Sequence, residues 1–226
     1  MCGRQDHEKA TYMIKIDSIA APAVASALLE LGAVKLNIKK PFTWASGWKS
    51  PIYCDNRVTL SSPDFRKKIK EYLTAVVRQN FPEADCIAAV ATAGIPQGAL
   101  VADALQLPFI YVRPKPKEHG MKNQIEGGVK KWRGVVMIED LISTGGSSLG
   151  AAHALREAGL NVAGMAAIFT YGFPLAEENF RKENIDLVCL SDFMFLLDEV
   201  LKKGALSKAE LVSVKSWRMA PDTWPR

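Results

Sequence analysis

Short apolar segments alternate with helical segments through the second half of the chain. The apolar segments are Cys86–Val90, Phe109–Val112, Gly134–Ile138, Val162–Thr170 and Leu187–Leu190, and helical patterns cover Ile95–Leu105 and Ser147–Ala158. Strands that are apolar along their whole length are typical of parallel sheets, which are covered on both faces. The alternation therefore predicts an α/β fold in which helices pack on both faces of a parallel sheet. Ligands of such sheets bind at the carboxyl ends of the strands.

The flanking regions extend this prediction. An apolar-rich segment from Ser18 to Leu31 predicts a helix that Ser18 caps, and the sequence SSPD at 61–64 predicts the start of a second helix that ends near Gln79. The tail from Ser207 to Arg226 is expected to be helical and then irregular at its prolines. We expect residues 14–226 to form one domain. Residues 1–13 are polar and are expected to be a disordered extension.

Composition excludes several classes of protein. No apolar stretch approaches the roughly 18 residues of a membrane helix, and the first residues lack the apolar core of a secretory signal. Four widely spaced cysteines give neither a zinc motif nor a disulfide framework, so we expect a reducing cytoplasm. These cysteines are Cys2, Cys54, Cys86 and Cys189.

The positive charge is concentrated in one segment. The chain has a formal net charge of +5, and Arg113 to Arg133 alone contains seven basic and two acidic residues. A nucleic-acid surface usually carries basic residues over a whole face, often with aromatic residues among them. A single cationic loop instead predicts a small anionic ligand and no nucleic-acid partner.

The residues after the strand at Gly134–Ile138 carry the most specific chemical signal. Glu139 and Asp140 end an apolar segment, Gly145 and Gly146 allow a tight turn, and Ser147 begins a helix. Backbone N–H groups at such a helix start bind phosphate, whereas a carboxylate pair would repel a di- or triphosphate. Carboxylates do accept hydrogen bonds from sugar hydroxyls, so the combination predicts a sugar monophosphate. The alternative is an ordinary turn beside a solvated acidic pair.

The sequence VVMIEDLISTGGSS at 135–148 resembles the phosphoribosyl-diphosphate (PRPP) motif of type I phosphoribosyltransferases. The resemblance implies that family's α/β fold, with a small N-terminal hood over the parallel sheet. It also implies that Glu139 and Asp140 hold the ribose hydroxyls and that residues 141–147 hold the 5′-phosphate. Those residues are Leu141, Ile142, Ser143, Thr144, Gly145, Gly146 and Ser147. The segment ATAGIP at 91–96 resembles the family's diphosphate loop, which adds Thr92 and Ala93, although many members carry lysine in place of Ala93.

A second segment indicates the acceptor base. The sequence FTWASGWKSPIYCDNR at 42–57 resembles the substrate loop of orotate phosphoribosyltransferases, which reads F-x-x-x-S-G-x-x-S-P-x-Y. By this resemblance Lys49, Tyr53, Ser143 and Tyr171 are predicted to contact orotate. Two positions depart from the family pattern: Ala45 replaces a lysine, and Tyr171-Gly172 stands where some members have an arginine. Lys49, Arg57 or Lys115 are candidates to compensate.

The cationic segment resembles the catalytic loop of the same family. In RPKPKEHG at 113–120, Arg113, Lys117 and His119 match the pattern R-K-x-x-K-x-H-G, while Pro114 replaces its second lysine. The resemblance implies that these three residues clamp the leaving diphosphate, with Asp140 as a fourth catalytic residue. His119 is either a proton donor or only a hydrogen-bond donor. Because this loop often reaches into a partner subunit in the family, a homodimer is expected. Mg²⁺ is the expected cofactor, held mainly by PRPP and water rather than by protein ligands.

Together these features predict transfer of phosphoribose from PRPP to orotate in pyrimidine synthesis. One alternative is a phosphoribosyltransferase for a purine or uracil, which the substrate loop disfavours. Another is a PRPP-binding regulator without catalysis, which the cationic loop disfavours.

Overall fold

The computed structural model describes residues 14–44, 46–115, 124–204 and 206–224. The strands are β1 (Ile14–Ile16), β2 (Val34–Leu36), β3 (Phe42–Thr43), β4 (Lys49–Ser50), β5 (Ile52–Cys54), β6 (Cys86–Val90), β7 (Phe109–Val112), β8 (Ile125–Glu126), β9 (Val135–Ile142), β10 (Val162–Thr170) and β11 (Leu187–Asp192). The helices are α1 (Ala21–Glu30), α2 (Pro63–Asn80), α3 (Ile95–Leu105), α4 (Gly146–Glu157), α5 (Pro174–Glu183), α6 (Phe193–Lys202) and α7 (Lys208–Met219), and a 3-10 helix covers Asn56–Ser61.

Seven strands form the central sheet, in the order β1-β11-β10-β9-β6-β7-β8. All neighbouring strands are parallel except β7 and β8, which are antiparallel. Two smaller antiparallel sheets, β2-β5 and β3-β4, form from the segment between α1 and the 3-10 helix. We call residues 34–61 the hood. The predicted parallel sheet and α/β fold are confirmed.

Alternate strand residues enter two separate hydrophobic cores, because successive side chains of a strand point to opposite faces. Ile87, Val136 and Ala166 pack on the face covered by α1, α2, α3, α6 and α7. Ala88 and Met137 pack on the other face, against α4 and α5. Helices therefore cover both faces, as the uninterrupted apolar strands predict.

An aromatic cluster joins the hood to the sheet and to the last helix. Trp217 of α7 is fully buried, and its ring lies 5.8 Å from Trp44, 5.6 Å from Tyr171 and 5.2 Å from Phe173. The Trp44 ring is also 5.0 Å from that of Tyr171. Because Tyr171 follows β10 directly, the cluster fixes the hood and α7 beside the carboxyl end of that strand.

The predicted helices and strands of the central region are confirmed, with small differences at their ends. The predicted helix start at Ser62 is also confirmed, since its hydroxyl accepts from the Phe65 N–H at 3.4 Å. The predicted Ser18 cap is wrong. The N-cap of α1 is Ala20, which makes no side-chain capping hydrogen bond, and the Asp17 carboxylate accepts from the N–H groups of Ile19 at 2.9 Å and Ala20 at 3.1 Å in the turn before the helix.

Several elements were not predicted from the sequence, including the short strands and the 3-10 helix of the hood and strand β8. Helices α5 and α6 lie in stretches that showed no assigned pattern, and β1 is a three-residue edge strand parallel to β11. Strand β9 also continues past Ile138, because its pairing with β10 runs on to Ile142 opposite Thr170. No helix among the described residues has the length and apolar character needed to cross a membrane. The predicted extension at 1–13 lies outside the described residues.

Candidate active site

Glu139 lies in the second half of strand β9 and is only 5% exposed. One carboxylate oxygen accepts from the Asp140 N–H at 2.9 Å, and the other accepts from the Ser148 hydroxyl at 2.8 Å. Burial, followed by the charge of Asp140, raises the pKa of Glu139 well above its usual range. Both oxygens are thus already used inside the protein, and a contact to a ribose hydroxyl would use their remaining lone pairs.

Asp140 is less enclosed and lines the main cleft of the site. Its carbonyl oxygen accepts from the Asn56 side-chain nitrogen at 2.6 Å, which ties the hood to the end of β9. Burial raises the pKa of Asp140, while its hydrogen bond with Glu139 and the charge of Arg57 act in the opposite direction. The two neighbouring carboxyl groups therefore differ, since Glu139 is held internally and Asp140 faces the cleft.

A tight turn follows β9 and leads into α4. Gly145 has a φ of +82°, and a Cβ added there would lie 2.7 Å from the ring of Phe180, so both conformation and space require glycine. The Thr144 carbonyl accepts from the Asn179 side chain at 2.9 Å, which holds the turn against α5. The turn is therefore held in place at the start of α4, where the first backbone N–H groups of a helix favour an anion.

A second loop, after β6, lies opposite this turn. Gly94 donates its N–H to the Val90 carbonyl at 3.0 Å, and a Cβ on Gly94 would lie 2.6 Å from the Ile138 carbonyl oxygen. The loop is therefore pressed directly on the backbone of β9. A cleft of about 280 Å³ lies between the two loops and the hood. It is lined by Cys54, Asp55, Arg57, Val90, Ala91, Thr92, Ala93, Glu139, Asp140, Leu141 and Ser147.

A neighbouring cleft of about 230 Å³ shares Val90, Ala91 and Ser147 with the first and extends to Arg113. The Arg113 guanidinium lies 3.6 Å from the Glu126 carboxylate. Ser147 of the predicted phosphate turn (residues 143–147) and Arg113 of the predicted cationic loop therefore line two adjoining clefts. Lys117 and His119, the other two predicted clamp residues, lie outside the described residues.

The predicted base contacts are in different environments. Lys49 is exposed and donates to the Thr43 hydroxyl at 2.7 Å, and Tyr53 is 40% exposed. Ser143 follows β9 at the edge of the sheet that holds the other site residues. Tyr171 is only 2% exposed, and burial raises the pKa of its hydroxyl well above the usual range. Its ring belongs to the aromatic cluster, its N–H donates to the Ile142 carbonyl at 3.1 Å, and its carbonyl accepts from Arg218 at 3.2 Å, so Tyr171 is enclosed on all sides. Ala45 lies outside the described residues.

Three side chains that shape the site were missed by the sequence analysis. Asn56 and Asn179 each hold a backbone carbonyl of the phosphate-binding segment, and Ser148 holds Glu139. Ser148 belongs to the recognised motif, so its position after the turn was a usable signal. Asn56 lies in the recognised segment at 42–57 and Asn179 lies outside every recognised motif, and a single sequence contains no signal for the contacts of either.

The comparisons with known proteins agree with this geometry. Residues 59–195 match the family model described as "Phosphoribosyl transferase domain". An orotate phosphoribosyltransferase from Cytophaga hutchinsonii is 51% identical over 203 residues, which cover 90% of this chain and 97% of the relative. This chain belongs to the phosphoribosyltransferase family. A second relative with the orotate phosphoribosyltransferase name, from Porphyromonas gingivalis, is 53% identical over 201 residues, which cover 89% of this chain and 96% of the relative.

A solved phosphoribosyltransferase structure supports the same assignment. The crystal structure of orotate phosphoribosyltransferase from Aeropyrum pernix has a TM-score of 0.69 and 29% identity, and the match covers 81% of this chain and 99% of that one. The resemblance inferred from the motifs at 42–57 and 135–148 is therefore confirmed at the level of the family. The individual site residues remain predictions.

Proposed function

We propose that this phosphoribosyltransferase transfers the phosphoribosyl group of PRPP to N1 of orotate, producing orotidine 5′-monophosphate and diphosphate for pyrimidine synthesis. In this reaction the bond from ribose C1 to the diphosphate oxygen breaks, a bond from C1 to N1 forms, and N1 loses its proton. The observation that carries the proposal is the cleft in which an acidic strand end faces a phosphate-binding turn. The orotate name of relatives about half identical to this chain supports the choice of base.

The phosphate turn and the acidic strand end would hold opposite sides of one sugar. The N–H groups and hydroxyls of residues 143–147 bind the 5′-phosphate, with Leu141 and Ile142 leading into the turn. The Asp140 carboxylate accepts from the ribose hydroxyls, and Glu139 contributes through its remaining lone pairs. Because these groups sit on a rigid strand and helix start, the ribose ring is fixed before the reaction begins.

The second loop and the cationic loop would hold the leaving group. Thr92 and the backbone at Ala93 are positioned on the cleft wall, and Arg113 borders the adjoining cleft. As the C1–oxygen bond breaks, negative charge grows on the diphosphate, and cations placed there lower the barrier. Lys117 and His119 complete this clamp in the proposal. If the pH dependence of kcat is the same in His119→Gln as in the wild type, His119 binds the diphosphate and does not donate a proton.

Mg²⁺ is part of the proposal, and the donor set fits it. No group of three His, Cys, Asp or Glu side chains among the described residues could hold a metal ion by itself. Mg²⁺ commonly binds through one or two carboxylates together with phosphate oxygens and water. Asp140, which lines the cleft, would be the protein carboxylate beside such an ion. When bound, the ion supplies positive charge to the diphosphate and the ribose hydroxyls.

The base would lie between the hood and the end of β10, where Lys49, Tyr53, Ser143 and Tyr171 are the proposed contacts. We also propose a homodimer in which the cationic loop serves the partner's site. Mixing a Lys117→Ala subunit with an Asp140→Asn subunit would then restore activity in part. A cytoplasmic location fits the three described cysteines, Cys54, Cys86 and Cys189, which are unpaired and buried.

The deciding experiment measures orotate loss and diphosphate release with purified protein at varied PRPP and Mg²⁺. Uracil, hypoxanthine and adenine serve as competing acceptors at the same concentration. We expect turnover of orotate alone, and activity that disappears with a chelator and returns with added Mg²⁺. Turnover of a purine or of uracil without orotate would contradict the choice of base. PRPP binding without consumption of any base would instead indicate a regulator.

A further inference from the structure

Orotate carries a carboxylate next to the nitrogen that reacts, so its recognition requires a cation that is not already paired. This step rests on the proposed function. Two of the arginines near the cleft have carboxylate partners. Arg57 makes two hydrogen bonds to Asp55, at 2.7 Å and 2.9 Å, and Arg113 lies 3.6 Å from Glu126. Lys49 is exposed and bonded to Thr43, where water screens its charge.

Arg218, in the last turn of α7, is placed differently. Its Nε donates to the Tyr171 carbonyl at 3.2 Å. An ideal Cβ built on Gly172 would lie 2.8 Å from the Arg218 Nη2 and 3.4 Å from its Nε. The guanidinium therefore lies directly on the Gly172 backbone, in space that the side chain of any larger residue at position 172 would occupy. Within 14–44, 46–115, 124–204 and 206–224, no carboxylate forms a salt bridge with Arg218.

The backbone under this guanidinium lies at the edge of the active site. Tyr171 donates its N–H to the Ile142 carbonyl at 3.1 Å, and Ser143 follows Ile142. Tyr171 and Ser143 are thus neighbours at the carboxyl ends of two adjacent parallel strands. The half-buried Trp44 ring, 5.0 Å from that of Tyr171, provides aromatic surface on the hood side. A flat anionic ring placed here would have an aromatic group and a guanidinium beside it.

The position of Arg218 is fixed by the residue before it. Trp217 is fully buried, and its ring contacts Tyr171 and Phe173 at 5.6 Å and 5.2 Å. One side of the guanidinium is oriented by the Tyr171 carbonyl through Nε, which leaves Nη1 and Nη2 as a pair of donors. Such a fork matches the two oxygens of a carboxylate.

We propose that Arg218 binds the carboxylate of orotate and is a specificity-determining residue of this enzyme. The C-terminal helix α7 is then part of the base site, because it delivers the cation that the segment after β10 lacks. Arg218 distinguishes orotate from uracil, which has the same ring without the carboxylate. Its contribution to PRPP binding is expected to be small, since the phosphate turn and the second loop hold that substrate.

The test compares Arg218→Met and Arg218→Lys with Lys215→Met, which removes one positive charge from an exposed position of the same helix. For each, kcat and KM are measured separately for orotate and for PRPP. Loss of a hydrogen-bonded charge contact predicts that kcat/KM for orotate falls about 10-fold to 100-fold in Arg218→Met. The KM for PRPP should stay within about twofold, because a charge contact to one substrate leaves the other's contacts unchanged. Arg218→Lys should recover only part of the loss, and Lys215→Met should resemble the wild type.

A purely structural role would give a different result. If Arg218 only fastened α7 to the end of β10, its replacement would lower thermal stability and impair both substrates alike. Equal effects on orotate and PRPP, or an unchanged KM for orotate, would overturn the proposal. Competition by uracil gives an independent readout, since uracil should bind wild type and Arg218→Met equally well. If the wild type fails to use orotate at all, the proposed function fails instead, and the two failures are distinguishable.

Discussion

Asn56 offers the most direct test of how the hood supports the phosphate site. The residue is 2% exposed, and its side-chain nitrogen donates to the Asp140 carbonyl at 2.6 Å. In Asn56→Ala that carbonyl loses its partner inside the protein, and a buried acceptor left unsatisfied costs about 1–3 kcal/mol. Taking about 2 kcal/mol, a protein of this size should lose about 4–8 °C in melting temperature.

The activity of Asn56→Ala should fall by more than its loss of stability alone would explain. Asp140 lies on the strand that leads into the turn at 143–147, so release of its backbone should displace the groups proposed to hold ribose. A misplacement of about 1 Å in a reactive site can cost about 10²-fold in rate, so we expect kcat/KM for PRPP to fall about 10-fold to 100-fold. Orotate loss under limiting PRPP, measured well below the melting temperature, reports this effect.

Asn80→Ala is the matched control. Asn80 also donates from its side chain to a backbone carbonyl, that of Val76 at 2.9 Å, but at the end of α2 and away from the cleft. It should lower the melting temperature while leaving kcat/KM near that of the wild type. If both variants keep normal kcat/KM, or both lose it in proportion to stability, the hood does not position the site through Asn56.

Four further substitutions test other parts of the structure. Since burial raises the pKa of Glu139 above its unfolded value of about 4.3, the folded state binds that proton more tightly and the free energy of unfolding falls as pH rises above that value. In denaturant titrations from pH 5 to 8, the free energy of unfolding of Glu139→Gln should fall less with pH than that of the wild type. The same pH dependence in both proteins would contradict the raised pKa of Glu139. Gly94→Ala puts a Cβ 2.6 Å from the Ile138 carbonyl and should cost about 1–3 kcal/mol, whereas Gly150→Ala, with open space around it in α4, should gain about 0.5–1 kcal/mol by thermal unfolding. Lys117→Ala should lower single-turnover rates about 10²-fold or more with saturating substrates, and a near-normal rate would exclude its role at the leaving group.

Local patterns were sufficient for most of the central fold. Strand β6 is buried at all five positions, and its uninterrupted apolar sequence predicted its bounds. The start of α2 followed from Ser62, Pro63 and Asp64, which satisfy or complement the free N–H groups of a first turn. In both cases the residues that determine the structure are adjacent in sequence, so a single sequence contains the signal.

Elements that depend on distant contacts were not predicted. Strand β1 has three residues and exists because it pairs with β11, far along the chain. In the turn that leads into α1, Ser18 and Asp17 both carry a side-chain oxygen of the type that accepts from free N–H groups. The carboxylate one position earlier has the geometry to reach two N–H groups, and only the path of the chain after β1 decides between them.

The same distinction separates the two halves of the active site. The proposed phosphate half consists of one strand, turn and helix start, so the motif at 135–148 contains all of it and was enough to indicate the family. The base half is assembled from the hood, the end of β10 and α7, and its proposed cation, Arg218, lies 47 positions from the backbone it rests on. If Arg218 binds the orotate carboxylate as proposed, the choice of base depends on how α7 packs. Changes in Trp217 that move this helix should alter orotate recognition while the PRPP site stays intact, which would place specificity in the packing of the C-terminal helix rather than in the shared motif.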